Sequence, residues 1–226
     1  MDTLYSIENS VYEIPLKLPV SLEIYRTTLR NDLINAQRRI REFSSRYNWI
    51  QYTNESFAER AEIFESQNDL IDALFELTGM DRSMKSTLPN TVSAALENRV
   101  FMSISPRVYS DIFPQGREEK AFEKLIAHEM AHRLHIRILN GNEEAMGPIW
   151  FYEGFAIVAA GQFETAELPV DQVWEMTKHT QRGSYRNYAA MMHYFLEKMS
   201  LPELVIHAGT DKFESGLKHR MHGYHI

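Results

Sequence analysis

Residues 128–132 read His128-Glu129-Met130-Ala131-His132, and this H-E-x-x-H run decides how the rest of the chain is interpreted. On a helix, residues four apart lie on the same face, about one turn from each other. The two imidazoles can therefore bind one metal ion, while Glu129 reaches a water molecule on that ion. The pattern predicts a zinc site with a general base beside it.

The flanking sequence predicts that this run lies in a long helix of roughly 23 residues. Acidic residues follow Gly116 in the first turn, where the helix dipole favours negative charge. Asn140-Gly141-Asn142 is a helix-ending signal. Apolar residues recur between them at helical spacing, at Phe122, Leu125, Ile126, Met130, Leu134 and Ile138. One flank is expected to be buried and the adjacent stripe to line a cleft, the stripe being Leu125, His128, His132 and His135.

A catalytic zinc usually has three protein ligands and one position for water, so a third donor is needed. A metzincin-like continuation would place Gly and His where this chain has His135 and Ile138, and a deformylase-like site would need a cysteine, which the chain lacks. A glutamate on a following helix remains, and Glu153 lies roughly twenty residues after His132 in such a segment. His135 is then expected at the rim of the site or behind a ligand, because three ligands complete the set.

H-E-x-x-H together with the aromatic-rich segment Trp150-Phe151-Tyr152-Glu153-Gly154-Phe155-Ala156 resembles the gluzincin branch of zinc peptidases, which includes thermolysin and the aminopeptidase N type. The resemblance covers roughly residues 92–222. It implies zinc (Zn2+) as the cofactor, with Glu129 as general base and acid and with His128, His132 and Glu153 as zinc ligands. It also implies a zincin-like fold, α+β and predominantly helical, with a small β-sheet or hairpin above the zinc-binding helix and a helical C-terminal part.

In gluzincins a downstream tyrosine stabilises the oxyanion, commonly in a Tyr-x-x-Gly-Ala segment at a helix start. The best match in this chain begins at Gly183 and reads Gly-Ser-Tyr-Arg-Asn-Tyr-Ala-Ala, where Tyr188 stands in place of the glycine. The resemblance assigns the role to Tyr185, with Tyr188 as the rival and a histidine such as His179 or His193 as a further alternative. The aminopeptidase signature G-x-M-E-N is absent, so removal of single N-terminal residues is not supported.

The reaction class follows from the ligands. Zinc lowers the pKa of its bound water toward neutrality, and Glu129 takes the proton and delivers it to the leaving amine. The leading hypothesis is a zinc-dependent endopeptidase or oligopeptidase that acts on peptide or protein substrates. Two alternatives stay open: a narrow-specificity or self-inhibited enzyme, and a non-catalytic binding module on the same fold. An intact Glu129 disfavours the module, because binding needs no base.

The net charge and the hydrophobic pattern of the chain exclude some classes of binding partner. The chain has 226 residues and a net charge of −7, which argues against non-specific nucleic-acid binding. No run approaches about 18 apolar residues, and the N-terminus has no basic start followed by an apolar core, so neither a membrane span nor a signal peptide is expected. A cytoplasmic location is the expectation, and the sequence leaves the oligomeric state open.

The sequence predicts two regions. Residues 1–90 form an N-terminal strand and helical region, and residues 91–226 form the catalytic domain. The sequence leaves open whether the two regions fold as one compact unit. Residues 1–25 contain two prolines and predict an extended or edge-strand opening. Helices are predicted at 26–47 and at 55–77, where Gly79 ends the second.

A β-hairpin of residues 91–96 and 100–105 is predicted just before the zinc helix. In gluzincin-like folds a strand in that position forms the upper rim of the cleft, and residues 100–105 are the candidate strand to which an extended peptide adds. After Glu153 the chain is predicted to be helical at 148–161, 170–181, 184–199, 202–208 and 211–221.

Overall fold

The computed structural model describes residues 11–81, 83 and 92–222. Most of this part of the chain is helical and a four-stranded sheet accompanies the helices, which confirms a predominantly helical α+β fold. The α-helices are α1 (Arg26–Arg46), α2 (Gln67–Thr78), α3 (Pro106–Ile112), α4 (Ala121–Ile138), α5 (Ile149–Ala160), α6 (Val170–Met176), α7 (Tyr185–Leu196), α8 (Leu201–Ala208) and α9 (Phe213–His222). None of the helices in these residues has both the length and the apolar character that crossing a membrane requires.

The sheet contains strands β1 (Leu16–Lys17), β2 (Arg60–Phe64), β3 (Ala94–Glu97) and β4 (Val100–Ile104). Their order across the sheet is β1-β2-β4-β3. β1, β2 and β4 run parallel to one another, and β3 pairs antiparallel with β4. β4 is buried along its whole length, as is usual for a parallel strand that is covered on both faces.

β3 and β4 form the hairpin expected before the helix that carries the H-E-x-x-H run. Its turn residues Asn98 and Arg99 have φ angles of 47° and 62°, the left-handed conformation that a two-residue type I′ turn requires. The assignment of residues 100–105 as the strand that receives a peptide is wrong, because β4 lies between β2 and β3 and is paired on both sides. Among the described strands, the member of the hairpin that lies at an edge of the sheet is β3. The first residue of the predicted hairpin, Thr91, lies outside the described residues.

The helix predicted over 55–77 is wrong in its first half, where the chain forms β2. The three central residues of β2 are all buried, so the strand lacks a two-residue alternation and its apolar positions fit helical spacing equally well. The helix itself, α2, begins after Ser66, whose hydroxyl accepts a hydrogen bond from the backbone N–H of Asp69. Its end is as predicted, since Gly79 has a left-handed φ of 68°.

The remaining N-terminal elements agree better with the sequence. α1 confirms the helix predicted at 26–47. The extended opening is confirmed at β1, whereas Val20–Tyr25 forms a 3-10 helix, and residues 1–10 lie outside the described part. α1 packs against α4 and β2 pairs with β4, so elements from both predicted regions contribute to one sheet and one hydrophobic core.

α4 carries the H-E-x-x-H run and packs against α1 and α5. It is shorter than predicted because Lys120 has a left-handed φ of 57° and Pro114–Arg117 form a separate 3-10 turn. Asn140 and Gly141, both with positive φ, follow its end as the sequence predicts. Its buried apolar residues are Ala121, Phe122, Leu125, Ile126, Ala127, Met130, Ala131 and Leu134.

The C-terminal part is helical as predicted, although α6 ends at Met176 and not at residue 181. α5 packs against both α4 and α7. Gly154 permits the close approach of α5 to α7, because a Cβ at this position would lie 2.4 Å from Cγ of Met192. α5 ends at Gly161, whose φ of 66° is left-handed and turns the chain back toward α4.

Candidate metal centre

Three side chains from α4 and α5 converge on one point. Nε2 of His128 lies 3.2 Å from Nε2 of His132 and 3.2 Å from Oε2 of Glu153. Nε2 of His132 lies 3.5 Å from the same carboxylate oxygen. Within the described part of the chain, these residues form the one group of three histidine, cysteine or acidic side chains arranged to hold a metal ion.

This triangle of donor atoms has the size that a tetrahedral metal ion requires. Nitrogen and oxygen ligands at about 2.0–2.1 Å from a zinc ion lie about 3.3 Å from one another when the geometry is tetrahedral. The three separations of 3.2, 3.2 and 3.5 Å match this spacing. Two imidazoles and one carboxylate are also a donor set found in catalytic zinc sites. The residues present therefore fit an ion such as zinc.

Glu153 is only 2% exposed and is nevertheless held as an anion. Burial alone raises the pKa of its carboxyl group, but the hydrogen bonds and charges of His128 and His132 outweigh burial, and the net effect is a lowered pKa. Nε of Arg182 lies 3.4 Å from the other carboxylate oxygen, Oε1. The same guanidinium donates hydrogen bonds to the hydroxyl of Tyr152. Glu153 thus keeps one oxygen directed at the histidines.

Gln162 contacts His128 at Nδ1, whereas His132 and Glu153 contact it at Nε2. Its Oε1 lies 2.9 Å from Nδ1 of His128, and both side chains are buried. Gln162 directly follows the helix-ending Gly161, and its backbone N–H donates to the carbonyl of Ile157. Sequence reasoning missed both Gln162 and Arg182. A polar residue after a C-terminal glycine is the only signal for Gln162, and that pattern is common at helix ends.

His128, His132 and Glu153 open into a cleft of about 520 Å³. Its walls are formed by β3, by α4 and α5, and by the 3-10 turn Glu143–Met146. Glu129 is half-buried and lines the same cleft as His128, His132 and Glu153. Burial raises the pKa of Glu97, at the end of β3, and the negative charges of Glu129 and Glu143 raise it further. Arg133 and Arg182 also line the cleft, so charges of both signs surround the candidate site.

No other strand of the described residues pairs with the outer edge of β3, so this edge presents backbone groups beside the cleft. Glu97 and Val100 close the hairpin turn, and the carbonyl of Ser93 accepts the N–H of Ile104. Because hydrogen-bonded and non-hydrogen-bonded pairs alternate in an antiparallel ladder, the N–H and C=O groups between these pairs face away from β4. The outward groups belong to Ala94 and Leu96, both of which line the cleft. An extended peptide fits such an edge.

Tyr185 lines the cleft, whereas Tyr188 does not. The ring of Tyr185 stands edge-on to the ring of His128, with centroids 6.1 Å apart. Burial raises the pKa of Tyr185, and the carboxylates of the site raise it further, so its hydroxyl stays protonated and can donate. Tyr188 is fully buried, and its hydroxyl donates to the carbonyl of Gln181. The structure brings Tyr185 to the candidate site and leaves Tyr188 in the core.

His135 lies in the core, so the expectation that it lines the cleft or stands at its rim is wrong. Its side chain is 0% exposed and its ring stacks on Phe155 with centroids 4.3 Å apart. The side chain of His135, about one turn after His132 on α4, therefore lies in the interface between α4 and α5. Leu125, at the other end of the predicted stripe, is also buried away from the cleft. The alternative donors His179 and His193 likewise do not line it.

No protein-family model, no curated protein and no solved structure matches this chain. The likeness to gluzincins therefore stays a resemblance in two motifs, the H-E-x-x-H run of α4 and the segment around Glu153 in α5.

Proposed function

We propose that this protein is a zinc-dependent peptidase, an endopeptidase or oligopeptidase that hydrolyses bonds within peptide or protein substrates. The observation that carries the proposal is the convergence of His128, His132 and Glu153, at separations that suit zinc, in a cleft that also holds Glu129. Glu129 occupies the position next to His128 where a general base is needed. A site that only binds a metal needs no carboxylate there.

Zinc in this position supplies a Lewis acid for the substrate carbonyl and makes water nucleophilic near neutral pH. Glu129 accepts a proton from the attacking water and then transfers it to the leaving amine nitrogen. The hydroxyl of Tyr185 donates a hydrogen bond to the carbonyl oxygen while negative charge develops on it. Glu129 and Tyr185 both line the cleft that contains the candidate metal site.

An extended peptide is the substrate that the cleft favours. The outward N–H and C=O groups of Ala94 and Leu96, which no described strand pairs, are available to a peptide backbone, and such pairing requires no particular side chain. Peptide side chains that alternate on either side of the added strand then face the walls of the cleft. A polypeptide is therefore favoured over a small amide as the substrate class.

The experiment compares wild type with Glu129→Gln in two measurements, zinc content and cleavage of casein and a peptide library. The variant keeps the shape of the side chain but removes the base, so it should retain zinc and lose about 10²–10⁴ in activity. Glu119→Gln makes the same chemical change at an exposed residue outside the cleft and should keep both zinc and activity.

Each alternative has its own outcome in this experiment. A wild-type protein that binds zinc and peptides but cleaves none would favour the binding module. Cleavage of only a few library peptides, or of none until part of the chain is removed, would favour the narrow-specificity or self-inhibited enzyme. Retained cleavage by zinc-loaded Glu129→Gln would contradict the proposed mechanism.

A further inference from the structure

We propose that Gln162 is a positioning residue for the metal site, which fixes the ring of His128 as a ligand through an uncharged hydrogen bond. The inference rests on the metal centre of the proposed function but does not depend on peptide cleavage. It concerns a residue outside both motifs of the sequence.

The contact is buried and well anchored. Oε1 of Gln162 lies 2.9 Å from Nδ1 of His128, and the two residues are 7% and 6% exposed. The backbone of Gln162 is held by its hydrogen bond to Ile157 at the end of α5. Because α5 also carries Glu153, one helix supplies a ligand and places the residue that orients another ligand.

This hydrogen bond selects the tautomer of His128. An amide oxygen only accepts, so Nδ1 of His128 must carry the proton and donate it to Gln162. When a metal ion displaces the proton of Nε2, the proton held on Nδ1 leaves the lone pair of Nε2 directed between His132 and Glu153, which is the form that binds a metal ion. If the amide were reversed, its NH₂ would donate to Nδ1, and the proton would sit on Nε2, between the ligands.

Because the Gln162 side chain is uncharged, it affects how tightly the site binds a metal ion. Carboxylates are common partners of metal-binding histidines, and they raise the basicity of the imidazole. In this protein an amide faces His128, and the cation Arg182 contacts Glu153. Neither contact adds negative charge to the ligands. The site is therefore fixed in geometry but binds the metal less tightly than it would with a carboxylate at position 162.

Zinc dissociation constants, measured on the full chain by competition with a chromophoric chelator, test this inference. Gln162→Met keeps an unbranched side chain but removes the amide acceptor, and should weaken zinc binding about 10–100-fold. Gln162→Glu restores an acceptor and adds negative charge, and should bind zinc more tightly than wild type. Gln37→Met is the matched control, because Gln37 is a buried glutamine of α1 that bonds the backbone of Tyr12 and Leu33. It should leave zinc affinity unchanged.

NMR of the zinc-loaded, ¹⁵N-histidine-labelled protein gives a second readout. The Nδ1–H proton of His128 should exchange slowly with solvent in wild type and in Gln162→Glu, and faster in Gln162→Met. If wild type and Gln162→Met bind zinc with equal affinity, the inference is wrong and the proposed function is unaffected. No zinc binding by wild type would overturn both. If Gln162→Met does not fold, Gln162→Glu decides alone, since weaker zinc binding than in wild type would contradict the inference.

Discussion

The hydroxyl of Tyr188 donates a hydrogen bond to the carbonyl oxygen of Gln181, 2.5 Å away, and this contact separates the two candidate oxyanion donors. A hydroxyl that is committed to a backbone carbonyl inside the core is not available to a substrate. Tyr185, at the start of the same helix, lines the cleft beside His128. We therefore expect the role to belong to Tyr185.

The substitutions Tyr185→Phe and Tyr188→Phe test this expectation, because each removes only a hydroxyl. Tyr185→Phe should lower kcat by roughly 10²–10³ with zinc content unchanged, as for the loss of one oxyanion donor. Tyr188→Phe should keep kcat near the wild-type value and lower the free energy of unfolding by about 1 kcal/mol, since it leaves a carbonyl without its donor. Two variants with wild-type kcat would place the donor elsewhere in the cleft, with Arg182 the next candidate.

Zinc should stabilise the folded protein, because the three ligand atoms converge only in the folded chain. A ligand that binds only the folded state adds about 2.7 kcal/mol at a free concentration 100-fold above its Kd. Urea unfolding with zinc and with chelator measures the difference. Glu153→Gln, which removes a ligand charge, should lose most of this zinc-dependent shift, whereas Glu129→Gln should keep it. Equal shifts in both variants would show that Glu153 does not bind the metal.

The histidine pair of the donor triangle was accessible from the sequence because His128 and His132 need only a helix to share a face. Glu153 lies on the next helix, and it was assigned by comparing types of third ligand and by the gluzincin resemblance. The side chains that hold these ligands were not accessible. Gln162 reaches His128 because the chain reverses after α5, and Arg182 reaches Glu153 from the segment before α7. Both contacts depend on the path of a loop, which residue spacing does not encode.

In the sheet, too, local features were predictable from the sequence and long-range pairings were not. The turn of the β3–β4 hairpin is a local feature and was predicted, but the position of β4 between β2 and β3 depends on a parallel pairing across a distant part of the chain. The rim strand was therefore assigned to the wrong member of the hairpin. α3 was not predicted either, although Ser105 caps it and Pro106 occupies its first turn, both of which are helix-start signals.

Gly154, next to Glu153, should be required for the packing of α5 against α7. A methyl group there would lie 2.4 Å from Cγ of Met192 and 3.3 Å from the carbonyl oxygen of Tyr188. Gly154→Ala should therefore lower the free energy of unfolding by about 1–3 kcal/mol through overpacking. Gly216→Ala is the control, since its added methyl would have no contact within 4 Å among the described residues beyond its own helical backbone and chain neighbours, and it should stabilise α9 by up to about 1 kcal/mol. Urea unfolding of both variants measures the contrast, and a neutral Gly154→Ala would contradict it.

His135 should make stability depend on pH. Its ring is stacked on Phe155, and neither ring nitrogen has a hydrogen-bond partner among the described residues. Burial lowers the pKa of His135 to about 3, with a smaller contribution from the charge of His132. In the unfolded chain the pKa is about 6.5. The ring is therefore neutral in the folded protein, and below about pH 6.5 protons bind preferentially to the unfolded state.

The stability that depends on this neutral ring is fully present above about pH 6.5 and is lost as the pH falls toward 3, by up to about 1.4 kcal/mol per pH unit. His135→Leu removes the titrating group, so its free energy of unfolding should fall less steeply than that of wild type between about pH 6.5 and pH 4.5. At neutral pH the variant should be at least as stable, because two unpaired polar atoms leave the core. Urea unfolding in chelator measures the slope without metal-linked titration, with His179→Leu at an exposed position as the control. Equal slopes for wild type and His135→Leu would show that the imidazole is not held neutral in the core.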